Sequence, residues 1–345
     1  MATAGVLVLA GCSNPQTSDA TPIQSSKPTT GSTRLPVATD TASTSLPGYV
    51  HVPGGFYAHE SCVHGVPNGA TVQAGGLVTL NGSLVNQFHT CAYPTFHGSE
   101  VSATNSVPGF GPGTGGWVEN TWANATTIDG VSYFNSLTAG SFVVPPAPAT
   151  PNGGQLVYMF PSMQSCCTIL QPVLQWGTTG AGGAIGSYSN YTYAAWTQLD
   201  GVFYHTATPL TPSSGHTLGG SITLITGNGG FGGQNLWRVT ALDETADTSA
   251  VLYVAINTSE LFTNAQGGVL EAYSISTCNE FPGTLGTFTV FGVAAVTQGG
   301  PAWNNFNSVT PTWTPGVLNV SPVYSGPSCD FDAAYSTSSG TTLEY

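Results

Sequence analysis

Glu271 is the side chain whose type and setting first suggest chemistry. It stands inside the largely apolar run Gly268–Ile275, which is typical of a β-strand, in a chain with only 6% charged residues. A carboxyl group buried in such a strand needs a partner or stays protonated, because desolvation penalises the charged form. A raised carboxyl pKa suits acid–base catalysis in an acidic medium. On residue type alone, an outward-facing glutamate on an ordinary strand is the simpler alternative.

Histidine and cysteine are concentrated between residues 49 and 100. This set consists of His51, His59, Cys62, His64, His89, Cys91 and His97. A metal site is conceivable there, but the spacings match no standard zinc pattern, so we predict neither a metal nor another cofactor.

The cysteines favour disulfides in an exported chain. Apart from Cys12 there are six, an even number whose pairing the sequence leaves open. Cys62 and Cys91 could close a local loop. Cys166 and Cys167 are adjacent in a predicted strand, so their side chains should point to opposite faces and reach different partners.

The elements that must position these groups are predicted to be strands. The chain has 45 Gly and 24 Pro, and short apolar runs alternate with turn residues, which indicates an all-β, two-sheet antiparallel sandwich with a small N-terminal β extension. Pro172 lies inside one predicted strand and implies an edge position or a bulge. The predicted strands are Ser141–Val144, Gln155–Phe160, Cys167–Trp176, Ser221–Ile225, Leu236–Thr240, Val251–Ile256, Val269–Ile275 and Thr287–Phe291.

Charge excludes one class of function. Lys27, Arg34 and Arg238 are the only Lys or Arg residues, and the formal net charge is −13, so nucleic-acid binding is not expected. A chain with few carboxylates and few bases also has little to lose in acid, which suggests tolerance of acidic surroundings. Compositional drift in a secreted protein rich in Ser, Thr and Gly is the alternative.

The chain divides into four segments by composition. Residues 1–12 resemble a lipoprotein-type export signal ending in Leu9-Ala-Gly-Cys12, although the positive start is missing; Cys12 would carry the lipid, the only expected membrane contact. Residues 13–48 read as a disordered tether rich in Ser, Thr and Pro. Residues 49–116 are expected to form a small, propeptide-like region ending in the Gly/Pro-rich stretch 101–116, and residues 117–345 are expected to form the sandwich. We expect an extracellular or cell-surface monomer.

Four stretches between Trp117 and Phe291 follow one another in a familiar order. They are Asn120–Ala125 with Ser136–Pro145, Ile169–Gln171, Tyr193–Trp196 with Ser214–Leu218, and Leu270–Ile275 with Phe281–Pro282 and Gly286–Val290. Together they resemble the glutamic peptidase (eqolisin) family. The resemblance implies a concanavalin A-like sandwich in which Gln171 and Glu271 face one cleft. It also implies an acid endopeptidase in which Glu271 is general base and then general acid, and Gln171 holds the water and the oxyanion.

The chain departs from the family pattern near the dyad. Pro172 to Gln175 replace the family's Thr-Gly-Val-Asp, so Gln175 stands where the family has Asp. Strand alternation puts Gln171 and Gln175 on one face and makes Gln175 a cleft candidate. His216 stands in place of the family's turn Asp. Trp176 and Trp196 are further candidates for lining the cleft, with core packing as the alternative.

Two other functions compete with peptide hydrolysis. A glycosidase needs two carboxylates facing one cleft, and the Glu271 strand carries Tyr273 and Ile275 where a second acid would stand. A non-catalytic, lectin-like or surface-adhesion sandwich is the stronger rival, because 14 Tyr and 7 Trp could stack on sugars. The expected partner is a protein or peptide substrate in the first case and a carbohydrate or cell surface in the second.

Overall fold

The computed structural model describes residues 47–97, 115–127, 133–179, 185–283, 288–291, 295–299, 306–317, 329 and 331–344. The export, tether and lipidation predictions, including Cys12, lie outside these residues. None of the described helices is long and apolar enough to cross a membrane.

The described residues are arranged almost entirely in strands. The N-terminal strands are β1 (Tyr49–Val52), β2 (Phe56–His59), β3 (Val63–Val66), β4 (Thr71–Gln73), β5 (Leu77–Leu80), β6 (Ser83–Gln87) and β7 (Phe96–His97). Two short 3₁₀ helices, Glu60–Cys62 and Ala74–Gly76, interrupt them, and a third spans Cys278–Glu280.

The remaining strands begin at Gly115. They are β8 (Gly115–Asn124), β9 (Phe134–Val143), β10 (Leu156–Gln164), β11 (Ile169–Thr178), β12 (Gly186–Leu199), β13 (Val202–Thr206), β14 (Thr217–Phe231), β15 (Gln234–Asp243), β16 (Thr248–Asn257), β17 (Asn264–Tyr273), β18 (Phe288–Phe291), β19 (Ala295–Gly299), β20 (Phe306–Val309), β21 (Thr314–Val317), β22 (Asp332–Ser336) and β23 (Gly340–Glu344).

Two large sheets pack face to face, which confirms the predicted all-β sandwich. One has eight strands in the order β21-β8-β17-β10-β11-β12-β13-β3, and the other has nine in the order β20-β19-β9-β14-β15-β16-β4-β5-β6. Apolar side chains from both sheets fill the space between them; Met159 and Leu270 of the first meet Phe142 and Leu218 of the second. Burial of these alternating faces drives the two sheets together.

The N-terminal region is built into both sheets. β3 pairs with β13 and β4 pairs with β16, and both pairings are parallel, so the sheets are not purely antiparallel as predicted. The β1–β2 hairpin covers the outer face of the eight-stranded sheet. There Val52 and Ala58 pack in a third apolar cluster with Tyr158 and Trp196. The outer face of this sheet is therefore buried as well.

Each predicted strand overlaps an observed one, although several ends differ by one or two residues, and two further local corrections apply. Pro172 sits in β11, an interior strand between β10 and β12, so the predicted edge position is wrong. The β10–β11 ladder pairs Met159 with Leu174 and Met163 with Leu170, and the stretch between them contains Pro161 and Pro172. Because proline has no N–H to donate, neither residue contributes a ladder hydrogen bond from its own nitrogen in this stretch. The predicted linker to Gly116 also ends earlier, because β8 begins at Gly115.

Cysteine pairing follows the sequence only in part. Cys62–Cys91 forms the predicted local disulfide, and Cys278 pairs with Cys329. The prediction of different partners for Cys166 and Cys167 is wrong: their Sγ atoms lie 2.6 Å apart. The two residues precede β11 in an exposed bend, where strand alternation does not apply.

Candidate active site

Glu271 lies in an interior strand and is completely buried. β17 runs between β10 and β8, and Glu271 is opposite Tyr158 on one side and Trp117 on the other. Its exposed fraction is 0%. The carboxyl lies on the outer face of the eight-stranded sheet, under the β1–β2 hairpin.

Three donors satisfy the Glu271 carboxyl group. The Gly54 N–H donates to Oε2 (2.8 Å), the Gly55 N–H donates to Oε1 (3.1 Å), and the Tyr273 hydroxyl donates to Oε1 (2.6 Å). Burial raises the pKa of Glu271 to about 7, and these three bonds, with the nearby Trp117 indole, oppose that rise. The carboxyl group can therefore exchange a proton near neutrality, as a general acid–base group must.

Gln171 lies on β11 and meets the same turn of the hairpin. Its Nε2 donates to the Pro53 carbonyl oxygen (2.9 Å), and its side chain is 1% exposed. Glu271 bonds the next two residues, Gly54 and Gly55. The structure thus brings both predicted dyad residues against one three-residue backbone segment, Pro53–Gly55, with the amide at a carbonyl oxygen and the carboxyl at amide nitrogens.

The other candidate residues take three different positions. Trp196 is the cross-strand partner of Gln171 and packs in the outer-face cluster, with its ring 4.6 Å from that of His205. Gln175 is buried and donates from Nε2 to the carbonyls of Gly177 (2.8 Å) and Ile185 (3.0 Å), so it holds its own loop. Trp176 packs between the two sheets beside Tyr191, away from the Glu271 face.

His216 lies outside this group. It begins the approach to β14 in the other sheet, and its Nδ1 lies 2.8 Å from Asp243 Oδ2. The pair holds the β14 and β15 ends together and touches neither Glu271 nor Gln171 in the described contacts.

The sequence did not point to the residues that surround the dyad. They are Pro53, Gly54, Gly55, Tyr158, Trp117 and Tyr273. Pro-Gly-Gly after the alternating Tyr49–Val52 run is a hairpin signal, which could have predicted the turn. It could not have predicted that the turn meets Glu271 some 216 residues away in the chain.

The outer face offers no second carboxylate opposite Glu271 on the neighbouring strand. Glu119 of β8 is the cross-strand partner of Leu270, which packs between the sheets, so its side chain shares that inner face. Across the described part of the chain, no group of three His, Cys, Asp or Glu residues is arranged to hold a metal ion.

Three solved structures are similar to the chain in overall fold. The chain is similar to scytalido-glutamic peptidase bound to a transition-state analogue inhibitor, with 16% identity over 67% of this chain and 98% of the other and a TM-score of 0.41. A second structure of that peptidase, with a peptide-based transition-state analogue, has 18% identity over 67% of this chain and 97% of the other, with a TM-score of 0.40. An eqolisin-family peptidase in complex with the tripeptide Ala-Ile-His has 17% identity over 67% of this chain and 98% of the other, with a TM-score of 0.39. No protein-family model and no curated protein matches the chain.

The Tyr273 hydroxyl lowers the pKa of the Glu271 carboxyl. In Tyr273→Phe the hydroxyl that donates to Oε1 is lost, and since that bond stabilises the ionised form, the pKa of Glu271 should rise further, by about one unit. A carbon-13 NMR titration of the glutamate carboxyls measures this directly. Tyr253→Phe, in β16 of the other sheet, should leave the Glu271 titration unchanged; an equal shift in both variants would contradict the assignment.

Proposed function

We propose that the chain is an exported acid endopeptidase that hydrolyses peptide bonds through Glu271 and Gln171. One observation carries the proposal. A buried carboxyl with a pKa near 7 and a buried primary amide bind the amide nitrogens and the carbonyl of a single backbone segment. This donor and acceptor pattern is the one that a bound peptide would need.

Each group has one role in the reaction. Ionised Glu271 takes a proton from a water molecule, whose oxygen attacks the peptide carbonyl carbon. The Gln171 Nε2 donates to the oxygen that becomes negatively charged, in the position where it now meets the Pro53 carbonyl. Glu271 then passes its proton to the amide nitrogen as the C–N bond breaks, which leaves a carboxylic acid, an amine and ionised Glu271.

The setting of the activity is part of the same proposal. An extracellular or cell-surface enzyme, lipid-anchored through Cys12 and acting in acid, agrees with a chain that has three Lys and Arg residues in all and two disulfides among its described residues. A protein or peptide is the substrate.

Hydrolysis of an unfolded protein at each pH from 2 to 7 tests the proposal. The full-length chain is incubated at the assay pH before substrate is added, and Glu271→Gln serves as the blank. We expect cleavage within the substrate chain that peaks in acid and is lost in the variant. Folded wild-type protein that cleaves nothing but binds immobilised oligosaccharides would instead support the lectin-like alternative.

A further inference from the structure

The β1–β2 hairpin fills the candidate site completely. Pro53, Gly54 and Gly55 are all buried, and beneath them Glu271 is 0% and Gln171 1% exposed. No substrate can contact either side chain while the turn is in place. The polar atoms that would receive a peptide are already bonded to the turn.

The turn matches the two groups as a peptide would. Its Pro53 carbonyl accepts from Gln171, and the next amide along the chain, the Gly54 N–H, donates to Glu271. In the proposed reaction these are the positions of the carbonyl oxygen and the departing nitrogen of one peptide bond. The hairpin therefore competes with substrate for the same hydrogen bonds.

The backbone of the turn is unlike that of an extended substrate. Gly54 has φ of 105° and Gly55 has φ of 82°, both in the region that favours glycine. An extended peptide has negative φ at every residue. The turn thus offers the hydrogen bonds of a substrate in a tight conformation.

Further noncovalent contacts hold the hairpin in place, and no described disulfide ties it to the sandwich. The His51 ring packs against Tyr273 (3.7 Å between centroids) and Tyr57 (4.0 Å), and the Tyr158 hydroxyl donates to the His51 carbonyl (3.1 Å). Both described disulfides close within one region, Cys62–Cys91 before residue 98 and Cys278–Cys329 after residue 115. The hairpin can therefore leave by breaking noncovalent contacts alone.

We propose that the β1–β2 hairpin is an autoinhibitory plug, that the chain described here is a latent peptidase, and that acid releases the Pro53–Gly55 turn from Glu271 and Gln171. The latency rests on the proposed function, whereas the release of the turn does not.

The direction of the acid response follows from His51. Tyr57, Tyr158 and Tyr273 surround it, Tyr273 leads on to Glu271, and its Nδ1 is buried without a hydrogen-bond partner among the described residues. Burial lowers the pKa of the docked His51 to about 3 from 6.5. Docking is therefore fully favoured above pH 6.5 and loses stability as pH falls toward 3.

Glu271 opposes this response over part of the range. Its pKa is raised to about 7 from 4.5, so protonation favours the docked form down to pH 4.5 and has no further effect below. The two effects offset each other between pH 6.5 and 4.5, whereas below pH 4.5 His51 acts without that opposition. Release is accordingly expected below about pH 4.5.

Hydrogen exchange on the full-length chain tests the plug without relying on hydrolysis. Exchange of peptides covering residues 47–59, corrected for the intrinsic pH dependence, should accelerate below about pH 4.5 while β15 stays protected. Gly54→Ala should raise exchange in this segment about tenfold at pH 6, because a Cβ at φ 105° would lie 3.1 Å from the Phe56 ring. Gly82→Ala, with φ of 78° and open space around it, is the matched control and should leave the segment unchanged.

A second variant distinguishes the effect of protonating His51 from the effect of packing its ring. His51→Phe keeps an aromatic ring against Tyr57 and Tyr273 but cannot be protonated, so the acid step in exchange should disappear. It also keeps the test decisive if Gly54→Ala does not fold, as judged by circular dichroism.

Hydrolysis measured in parallel distinguishes the outcomes. A tenfold higher initial rate at pH 6 in Gly54→Ala, matching its exchange, supports latency. Full wild-type activity while residues 47–59 stay protected overturns it, as does cleavage between Pro53 and Gly54, which would make the turn a substrate. Acid-induced exchange with no hydrolysis by any variant refutes the peptidase function and the latency but leaves the release of the hairpin established.

Discussion

Glu271→Gln should lower kcat for peptide hydrolysis by about 10²- to 10⁴-fold, the usual contribution of a positioned acid–base group. The amide is nearly the same size as the carboxyl, so packing against Tyr158 and Tyr273 is kept. It can neither accept a proton from water nor return one to the departing amine. We therefore expect the loss in kcat at every pH between 2 and 7, with KM changed much less.

The same substitution should loosen the hairpin. One amide oxygen replaces two carboxylate oxygens, so the new NH₂ group faces a backbone N–H that now donates to Glu271. Two facing donors are unfavourable. Exchange in residues 47–59 should rise at pH 7 although activity is lost. Glu244→Gln, an exposed control in the β15–β16 turn, should change neither quantity. Retained activity in Glu271→Gln would remove this residue from the chemistry.

Departure of the hairpin should also move the pH range of the reaction. Burial is the main reason that the pKa of Glu271 stands near 7, and water entering the cleft reverses that effect. The carboxyl would then be ionised in more acidic solution, which is where the hairpin leaves. Opening and activation of the base are therefore coupled through one pair of groups, His51 and Glu271.

Local pattern in the sequence was enough to predict the strands and the position of Glu271. The apolar run around it is β17, and alternation correctly puts Gln171 and Val173 on one face of β11. The same alternation places Trp176, which directly follows Gln175, on the opposite face of β11, between the sheets. A residue-type argument for Trp176 as a cleft residue overlooked this parity.

Long-range pairing explains what the sequence could not predict. Pro172 lies in an interior strand opposite a stretch of β10 that contains another proline, and no pattern within β11 shows that pairing. The Pro53–Gly55 turn reads as a simple hairpin, and its contact with Glu271 depends on how β3 and β4 dock on sheet edges formed much later in the chain. Such contacts follow from topology, which short sequence windows do not specify.

The stability of the folded chain should depend on pH chiefly through a second buried carboxyl, Glu119. It is 0% exposed on β8, and neither carboxyl oxygen has a hydrogen-bond partner among the described residues. Burial first, and then the nearby Asp332 and Glu344 carboxylates, raise its pKa to about 9. The backbone amides of Asp332 and Glu344 offset part of this shift without completing hydrogen bonds to the carboxyl.

The raised pKa of Glu119 favours the folded state over the unfolded state in acid. Folded Glu119 keeps a proton that an unfolded glutamate, with a pKa of 4.5, releases. Its contribution is therefore fully present below pH 4.5 and is lost as pH rises toward 9, at roughly 1.4 kcal/mol per pH unit. Glu271 adds a similar decline that ends near pH 7, whereas His51 and His205, with pKa values lowered to about 3 and 4, destabilise the fold below pH 6.5.

Glu119→Gln should remove the alkaline decline. Between pH 7 and 9 the Glu271 and histidine contributions no longer change, so Glu119 accounts for the loss there. We expect the free energy of unfolding of the variant, relative to wild type, to be about 4 kcal/mol more favourable at pH 8 than at pH 4.5. Urea unfolding at both pH values measures it, with Glu244→Gln as the exposed control. Comparing the two pH values cancels any constant effect of the amide on packing. A wild-type decline that persists unchanged in Glu119→Gln would mean that Glu119 is already ionised in the folded protein, and the acid preference of the fold would then have to come from Glu271 alone.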